Sequence, residues 1–299
     1  MLRDVARGED QARAALDVIA HVGADVIVLG DIDWDAGGAG LAGIVSALRD
    51  RGLDYPHSLA LPPNSGVPSG LDLDGNGRLG EGRDSLGYGR FTGDSGLAVL
   101  SLHPFGPVAD HGAVPWDADD LAPDGAWLPV PTIAQWVVPV AGIDLVTLAA
   151  GTPVFDGPED RNGIRNAAEL ALARELGEAA DIPVLAGRVN IDPNDGQGRQ
   201  EAIAALLDHP DWVDPRPRGQ GGGGEGHRGD PALDTADWEG PGALRVDYVL
   251  PSTALRVLDA GVVWPASDDP FLKTVEAAGA GRAVWVDLAL PVDASGGRE

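Results

Sequence analysis

Apolar residues recur along this chain in two rhythms. Ala15, Val18, Ile19 and Val22 follow the spacing of one helical face, which predicts a helix entered at Glu9 or Asp10 and ended by Gly23. Leu41, Ile44, Val45 and Leu48 mark a second helix closed by Gly52, a third runs from Ile164 to Leu176, and a short fourth from Glu201 to Leu207. Between the helices lie short apolar runs bounded by Gly, Pro and Asp, the pattern of buried strands. They fall at 25–29, 97–101, 134–138, 143–148, 184–186, 245–250, 255–264 and 282–288. Ala141-Gly142, between two of these runs, predicts a hairpin turn. Helices and strands in this alternation imply a layered α/β protein.

Two regions carry neither rhythm. Residues 62–96, with the connection that continues to about Pro131 past the strand at 97–101, are rich in Gly, Pro and Asp. Residues 215–240 are poor in apolar side chains and contain G-Q-G-G-G-G-E-G, the composition of a functional or disordered loop. No internal repeat or linker interrupts the chain, so one domain over 1–299 is the simplest organisation.

The stretch from Pro183 to Pro193, P-V-L-A-G-R-V-N-I-D-P, concentrates the polar chemistry. Its apolar run breaks at Gly187 into a loop carrying Arg188, Asn190 and Asp192. In α/β architectures ligands sit beyond the carboxyl ends of strands, so this exit is placed for a site.

Composition narrows the chemistry. With 299 residues and 43% hydrophobic side chains the chain can bury a sizeable core. Its formal charge of -26 argues against nucleic-acid binding by phosphate neutralisation alone. A polyanionic substrate would need a local positive patch or metal ions. There is no Cys, which excludes disulfides, thiolate metal sites and cysteine nucleophiles. No run reaches the length of a membrane span, and M-L-R-D-V-A-R-G-E-D at the start has no apolar signal-peptide core. Compartment and oligomeric state are left open by the sequence.

Four segments at strand ends then align: G-D-I-D-W-D at 30–35, A-G-R-V-N-I-D-P at 186–193, L-R-V-D-Y-V-L-P-S at 244–252 and G-R-A-V-W-V-D at 281–287. In this order they resemble the endonuclease/exonuclease/phosphatase superfamily, the fold of pancreatic deoxyribonuclease, apurinic endonucleases and inositol phosphatases. A bacterial subfamily is the nearest likeness, through G-V-P-S-G-L-D-L-D-G-N-G-R-L-G at 66–80, T-P-V-F-D-G-P-E-D-R-N-G at 152–163 and G-H-R-G-D-P-A-L-D-T-A-D-W at 226–238. The resemblance implies a four-layer α/β sandwich, two mixed β-sheets face to face with helices outside. It also implies Mg²⁺- or Mn²⁺-dependent cleavage of a phosphoester, in a small molecule or a nucleic acid, by activated water.

Carried over position by position, the resemblance puts metal ligation and catalysis on Asp31, Asn190 and Asp247. Asp31 stands where the family has Glu, one methylene shorter. Elsewhere the site is degenerate. The catalytic His of the central hairpin falls on Ala149, the Asp of Gly-Asp-x-Asn on Arg188, and the terminal acidic-or-Arg/His pair on Ala280 and Gly281. An Asn expected on a first strand has no counterpart, because the sequence begins after that strand, and an unpaired central edge would invite association. A guanidinium about 4 Å from a divalent ion repels it by roughly 8 kcal/mol at an effective dielectric of about 20, against roughly 4 kcal/mol for millimolar binding. Two readings stay open: a divergent metal-dependent phosphoesterase, and an inactive relative in which Arg188 pairs with Asp31 and replaces the metal.

Asp72, Asp74, Asn76 and Arg78 match the first half of a calcium loop, with Arg78 contributing its carbonyl. The bidentate Glu expected at the end of such a loop is Arg83, with Glu81 and Asp84 close by. The alternative is an Asp/Asn/Gly turn closed by its own side chains. His227, which begins H-R-G-D-P, and Arg165 are candidate substrate contacts. For the Arg161–Asn166 segment the competing reading is a helix start capped by Asn162. His21, His57, His103 and His209 read as helix-end, surface or turn residues.

Overall fold

The computed structural model describes residues 9–117 and 127–290. Most of the amino-terminal segment read above for an export signal, and part of the connection to Pro131, lie outside those residues. The helices are α1 (Asp10–Val22), α2 (Ala39–Arg49), α3 (Arg161–Ala179), α4 (Gln200–Leu207) and α5 (Leu272–Ala278). The longer strands are β1 (Val26–Ile32), β3 (Gly96–Ser101), β5 (Trp136–Val140), β6 (Ile143–Ala149), β7 (Pro183–Arg188), β10 (Asp247–Pro251), β11 (Arg256–Val262) and β12 (Val284–Ala289). Four shorter ones complete the set: β2 (His57–Leu59), β4 (Ala109–Asp110), β8 (Ala236–Trp238) and β9 (Gly242–Leu244).

Local chemistry accounts for the element ends. Gly23 closes α1 at φ 60, donating its N–H to the Ile19 carbonyl, a left-handed cap that glycine adopts without Cβ strain. At the start of α2 the Asp35 carboxylate accepts the N–H groups of Ala39 and Gly40 at 3.0 and 2.8 Å. Those bonds hold the Asp35 carboxyl below its ordinary value. The predicted hairpin forms between β5 and β6, with Ala141 and Gly142 both at positive φ, as a two-residue turn matched to strand twist requires.

Five strands form one sheet in the order β10-β7-β6-β5-β4, and three form another in the order β1-β3-β2. β6 and β7 are parallel, joined by the α3 crossover, while the other pairs of the larger sheet are antiparallel. β11 pairs with β12, and β8 with β9.

The core shows why β3 is apolar throughout. Leu97 and Val99 pack toward Trp136, Val138, Leu145 and Ala186 of the larger sheet. Ala98 and Leu100 face the opposite way, toward Leu16 of α1 and Ile44 and Leu48 of α2. Period-two alternation therefore supplies two cores at once, and each fully buried Leu is worth about 1.5–3 kcal/mol. On the far side of the larger sheet Leu170 and Ala173 of α3 and Ile203 and Leu206 of α4 cover Leu148 and Leu185. Helix, sheet, sheet, helix is the four-layer arrangement expected from the resemblance.

Two expectations shift. The strands read at 134–138 and 255–264 settle at Trp136–Val140 and Arg256–Val262. The region 215–240 also has order of its own. It contains a single-turn helix at Pro231–Leu233, the strand β8, and an Arg218–Asp230 ion pair at 2.6 Å.

Candidate functional site

The ends of β1 and β7 and the start of β10 converge. Asp31 sits in a bulge of β1 where the register breaks between Leu29 and Ile32, at φ 56. Arg188 ends β7, where Asp247 of β10 is its antiparallel partner and Ala149 of β6 its parallel one. Gly187 is obligatory beside it, because at its φ of +132 an added Cβ would lie 2.1 Å from the Leu148 carbonyl oxygen. Gly281 closes the circle, since a Cβ there would lie 2.9 Å from an Arg188 terminal nitrogen.

Arg188 holds the centre. Its Nε donates to Asp247 Oδ1 at 2.9 Å and Nη2 to Oδ2 at 3.2 Å, a two-pronged pair, while Nη1 donates to Asp31 Oδ2 at 2.9 Å. The Arg188 side chain is 27% exposed, Asp247 17% and Asp31 64%. The inner pair is thus shielded and the outer one wet. The Asp247 carboxylate, with Asp31 adding to it, raises the guanidinium pKa above an already high value, so the charge is permanent. A divalent cation at Asp31 would meet that charge at close range, and both carboxylates are already hydrogen-bonded to it. The residues present, in this arrangement, do not fit a divalent metal ion at the Asp31–Asn190 position.

Asn190 lines the same groove at φ 59, its amide nitrogen donating to the Ala150 carbonyl at 2.8 Å. Two residues of α3 hold this wall: Asn166, from the Arg161–Asn166 segment weighed as substrate contacts, and Glu169, which sequence reasoning passed over. Asn166 donates to the carbonyls of Gly151 and Val189 at 2.6 and 2.9 Å. Glu169 accepts the N–H groups of Thr132 and Gly151 at 2.6 and 2.7 Å. Burial raises the Glu169 pKa. Both are buried although α3 carries other polar side chains, Arg174 and Glu178 among them, so the sequence has no signal that sets them apart.

The other candidates are engaged elsewhere. Arg165 is buried, its donors going to the carbonyls of Pro129, Val130 and Pro131, with the guanidinium over Trp116 at 5.4 Å. Burial lowers its pKa to about 10. Asn162 is not the cap of α3; that position is Asp160 in left-handed geometry, and Asn162 instead donates to the Val154 carbonyl. His227 is buried between Asp195 and Asp234, 3.4 and 3.6 Å from its two ring nitrogens, away from the groove. His209, read as a surface or turn residue, is largely buried and stacked on Trp212 at 4.0 Å. His21 packs against Phe271 at 4.4 Å.

The loop at 72–84 draws its acids together. One oxygen from each of Asp72, Asp74 and Asp84 falls within 4.8 Å of the others. The same carboxylates close the loop on itself. Asp72 accepts from Asn76 and Gly77, Asp74 from Asn76, and buried Asp84 from Leu73 and Glu81. Asn76 also donates to Glu81 at 2.8 Å, and the Arg78 side chain is exposed beside Glu81.

Comparison with known proteins gives a consistent assignment. The model of the Endonuclease/Exonuclease/phosphatase family matches residues 2–279. Among curated protein sequences none matches. A solved endonuclease/exonuclease/phosphatase from Beutenbergia cavernae superposes with a TM-score of 0.58 at 21% identity, over 94% of this chain and 66% of its own. A 3′ phosphatase from Neisseria bound to a product DNA hairpin gives 0.56 at 16%, over 91% and 92%. A family protein from Leptotrichia buccalis gives 0.53 at 14%, over 94% and 93%. At these identities the likeness is one of fold. This chain spans just under two thirds of the Beutenbergia protein. No helix among the described residues is long and apolar enough to cross a membrane.

Proposed function

Since this chain belongs to the endonuclease/exonuclease/phosphatase family, we propose that it is a divergent, catalytically inactive member, whose cleft serves binding or structure instead of efficient phosphoester hydrolysis. The observation that carries this reading is the Arg188 ion-pair cluster, which holds Asp247 and Asp31 at 2.9 Å each. The family is typically metal-dependent, and the resemblance puts its metal on Asp31, which this guanidinium already bonds. Ala149 offers no proton donor or acceptor, and loss of a general acid or base typically costs about 10² to 10⁴ in rate. The Neisseria protein bound to a DNA hairpin directs the choice of test substrates toward phosphoesters and nucleic acids. Purified protein, assayed on bis(4-nitrophenyl) phosphate and on a 3′-phosphorylated DNA hairpin with Mg²⁺, Mn²⁺ or Ca²⁺, is expected to match blank buffer. Divalent-dependent turnover that Asp31→Ala removes would overturn the reading in favour of an active phosphoesterase.

A second reading concerns the loop at 72–84. Three carboxylate oxygens within 4.8 Å repel one another unless a cation lies among them, and oxygen ligands suit Ca²⁺. After chelation, added Ca²⁺ is expected to raise the melting temperature, and Asp74→Asn to abolish the rise. An unchanged melting temperature in the unaltered protein would leave the loop a self-closed turn.

A further inference from the structure

Asn76-Gly77 is one of two Asn-Gly pairs in the chain, the other being Asn162-Gly163. An asparagine before glycine is open to attack by its own backbone, because the following residue has no Cβ to crowd a five-membered ring. The two pairs sit in opposite settings. Residues 74–80 are exposed throughout and lie outside any helix or strand. Gly75, Gly77 and Gly80 turn at φ 70, 81 and 81, and a Cβ added at any of them would meet nothing within 4 Å. Asn162 lies in the first turn of α3, followed by buried Gly163, where a Cβ would fall 2.1 Å from Asp160 Oδ1. That backbone cannot turn without unwinding the helix end.

The Asn76 carboxamide is also held, atom by atom, as ring closure requires. The attacking nitrogen, Gly77 N, donates to Asp72 Oδ2 at 2.8 Å, a carboxylate placed to take its proton. Asn76 Oδ1, where negative charge develops, accepts the Arg78 backbone N–H at 2.8 Å, a fixed donor of the kind that stabilises an oxyanion. Because it reaches the N–H two residues on, the carboxamide folds back over the Gly77 peptide. The leaving nitrogen, Nδ2, donates to Asp74 Oδ2 at 3.0 Å and to Glu81 Oε2 at 2.8 Å. Carboxylates only accept, so these two fix which end of the amide faces them.

We propose that Asn76 is a self-modifying site, which deamidates through a cyclic imide with Asp72 as the base. The bond from Gly77 N to Asn76 Cγ forms as the Cγ–Nδ2 bond breaks. The proton of Gly77 N passes by way of Asp72 to Nδ2, which departs as ammonia. Water then adds to either carbonyl of the ring and leaves aspartate or isoaspartate at position 76. The product sets a carboxylate where a donor stood between Asp74 and Glu81, so two hydrogen bonds give way to like-charge repulsion and the loop loses its closure. Neither the Arg188 cluster nor a cation in the loop is needed for this step.

Purified protein is incubated in chelating buffer at neutral pH. Proteolytic fragments are followed by mass, and isoaspartate by enzymatic methylation, so both Asn-Gly sites are read in one sample. Asn76 is expected to convert about tenfold or more faster than Asn162, which must wait for its helix to open. It should convert at least as fast as in a synthetic peptide of residues 70–84, which has the same sequence without the fixed partners. Asp72→Asn should slow conversion about tenfold or more. Conversion of Asn76 no faster than that of Asn162, or slower in the protein than in the peptide, would overturn the proposal. So would an Asp72→Asn variant that converts as fast as the unaltered protein or faster, since the bond from Gly77 would then be shielding the site.

Discussion

Replacing Arg188 with methionine tests whether the ion-pair cluster holds the cleft together. Methionine keeps the aliphatic stem and removes three hydrogen bonds, two to Asp247 and one to Asp31. The outer bond contributes at most about 1 kcal/mol, because Asp31 is 64% exposed and solvent screens it. The inner pair is different. Asp247 is 17% exposed and its backbone N–H is already bonded to Thr235, so without the guanidinium its charge is left shielded from water and unpaired. Breaking such a pair costs about 3–5 kcal/mol when fully buried, and about 3 kcal/mol is the figure for this partly wet site. Urea unfolding at neutral pH, with Asp247→Asn and Asp31→Asn completing two double-mutant cycles, separates the terms. The coupling of Arg188 to Asp247 should exceed its coupling to Asp31 by about 1 kcal/mol or more. Equal couplings, or two couplings below about 0.5 kcal/mol, would refute the argument that the guanidinium has replaced the metal as the site's organising charge.

Two further outcomes follow from the same coordinates. Burial raises Asp234 to about 6, so between about pH 4 and 6 the folded state binds more protons than the unfolded state and stability falls as pH rises through that window. Asp234→Asn removes this slope: measured by urea unfolding from pH 4 to 7, the variant should gain on the unaltered protein with rising pH, and a constant difference would contradict the assignment. Gly187→Ala should cost more than the roughly 1–3 kcal/mol of ordinary overpacking, because its Cβ meets the Leu148 carbonyl oxygen at 2.1 Å and the backbone has no side-chain slack to give; a loss below about 1 kcal/mol would show that β6 and β7 can separate there.

The amino-acid sequence alone determined the elements whose cause is local. Helical spacing places α1, α2 and α3, short continuous apolar runs place β3, β6 and β7, and Ala141-Gly142 marks the turn between β5 and β6. These are properties of neighbouring residues and backbone geometry, legible without a fold. The family strings, being long and contiguous, were legible for the same reason. The role of Glu169 and the partners of Asn166 were not, because a polar residue on a helix has no assigned partner until the loops at Thr132 and Gly151 arrive beside it. His227 and Arg165 were placed in the cleft by sequence proximity to motifs, whereas packing turned one toward buried carboxylates and the other toward carbonyls. Arg188 is the clearest division. Its presence where the family has Asp is a sequence fact, but its partners lie 59 and 157 residues away along the chain. Only the tertiary structure brings those charges within hydrogen-bond range, and electrostatic energy depends on that distance and on the exclusion of water, neither of which is written in the order of residues.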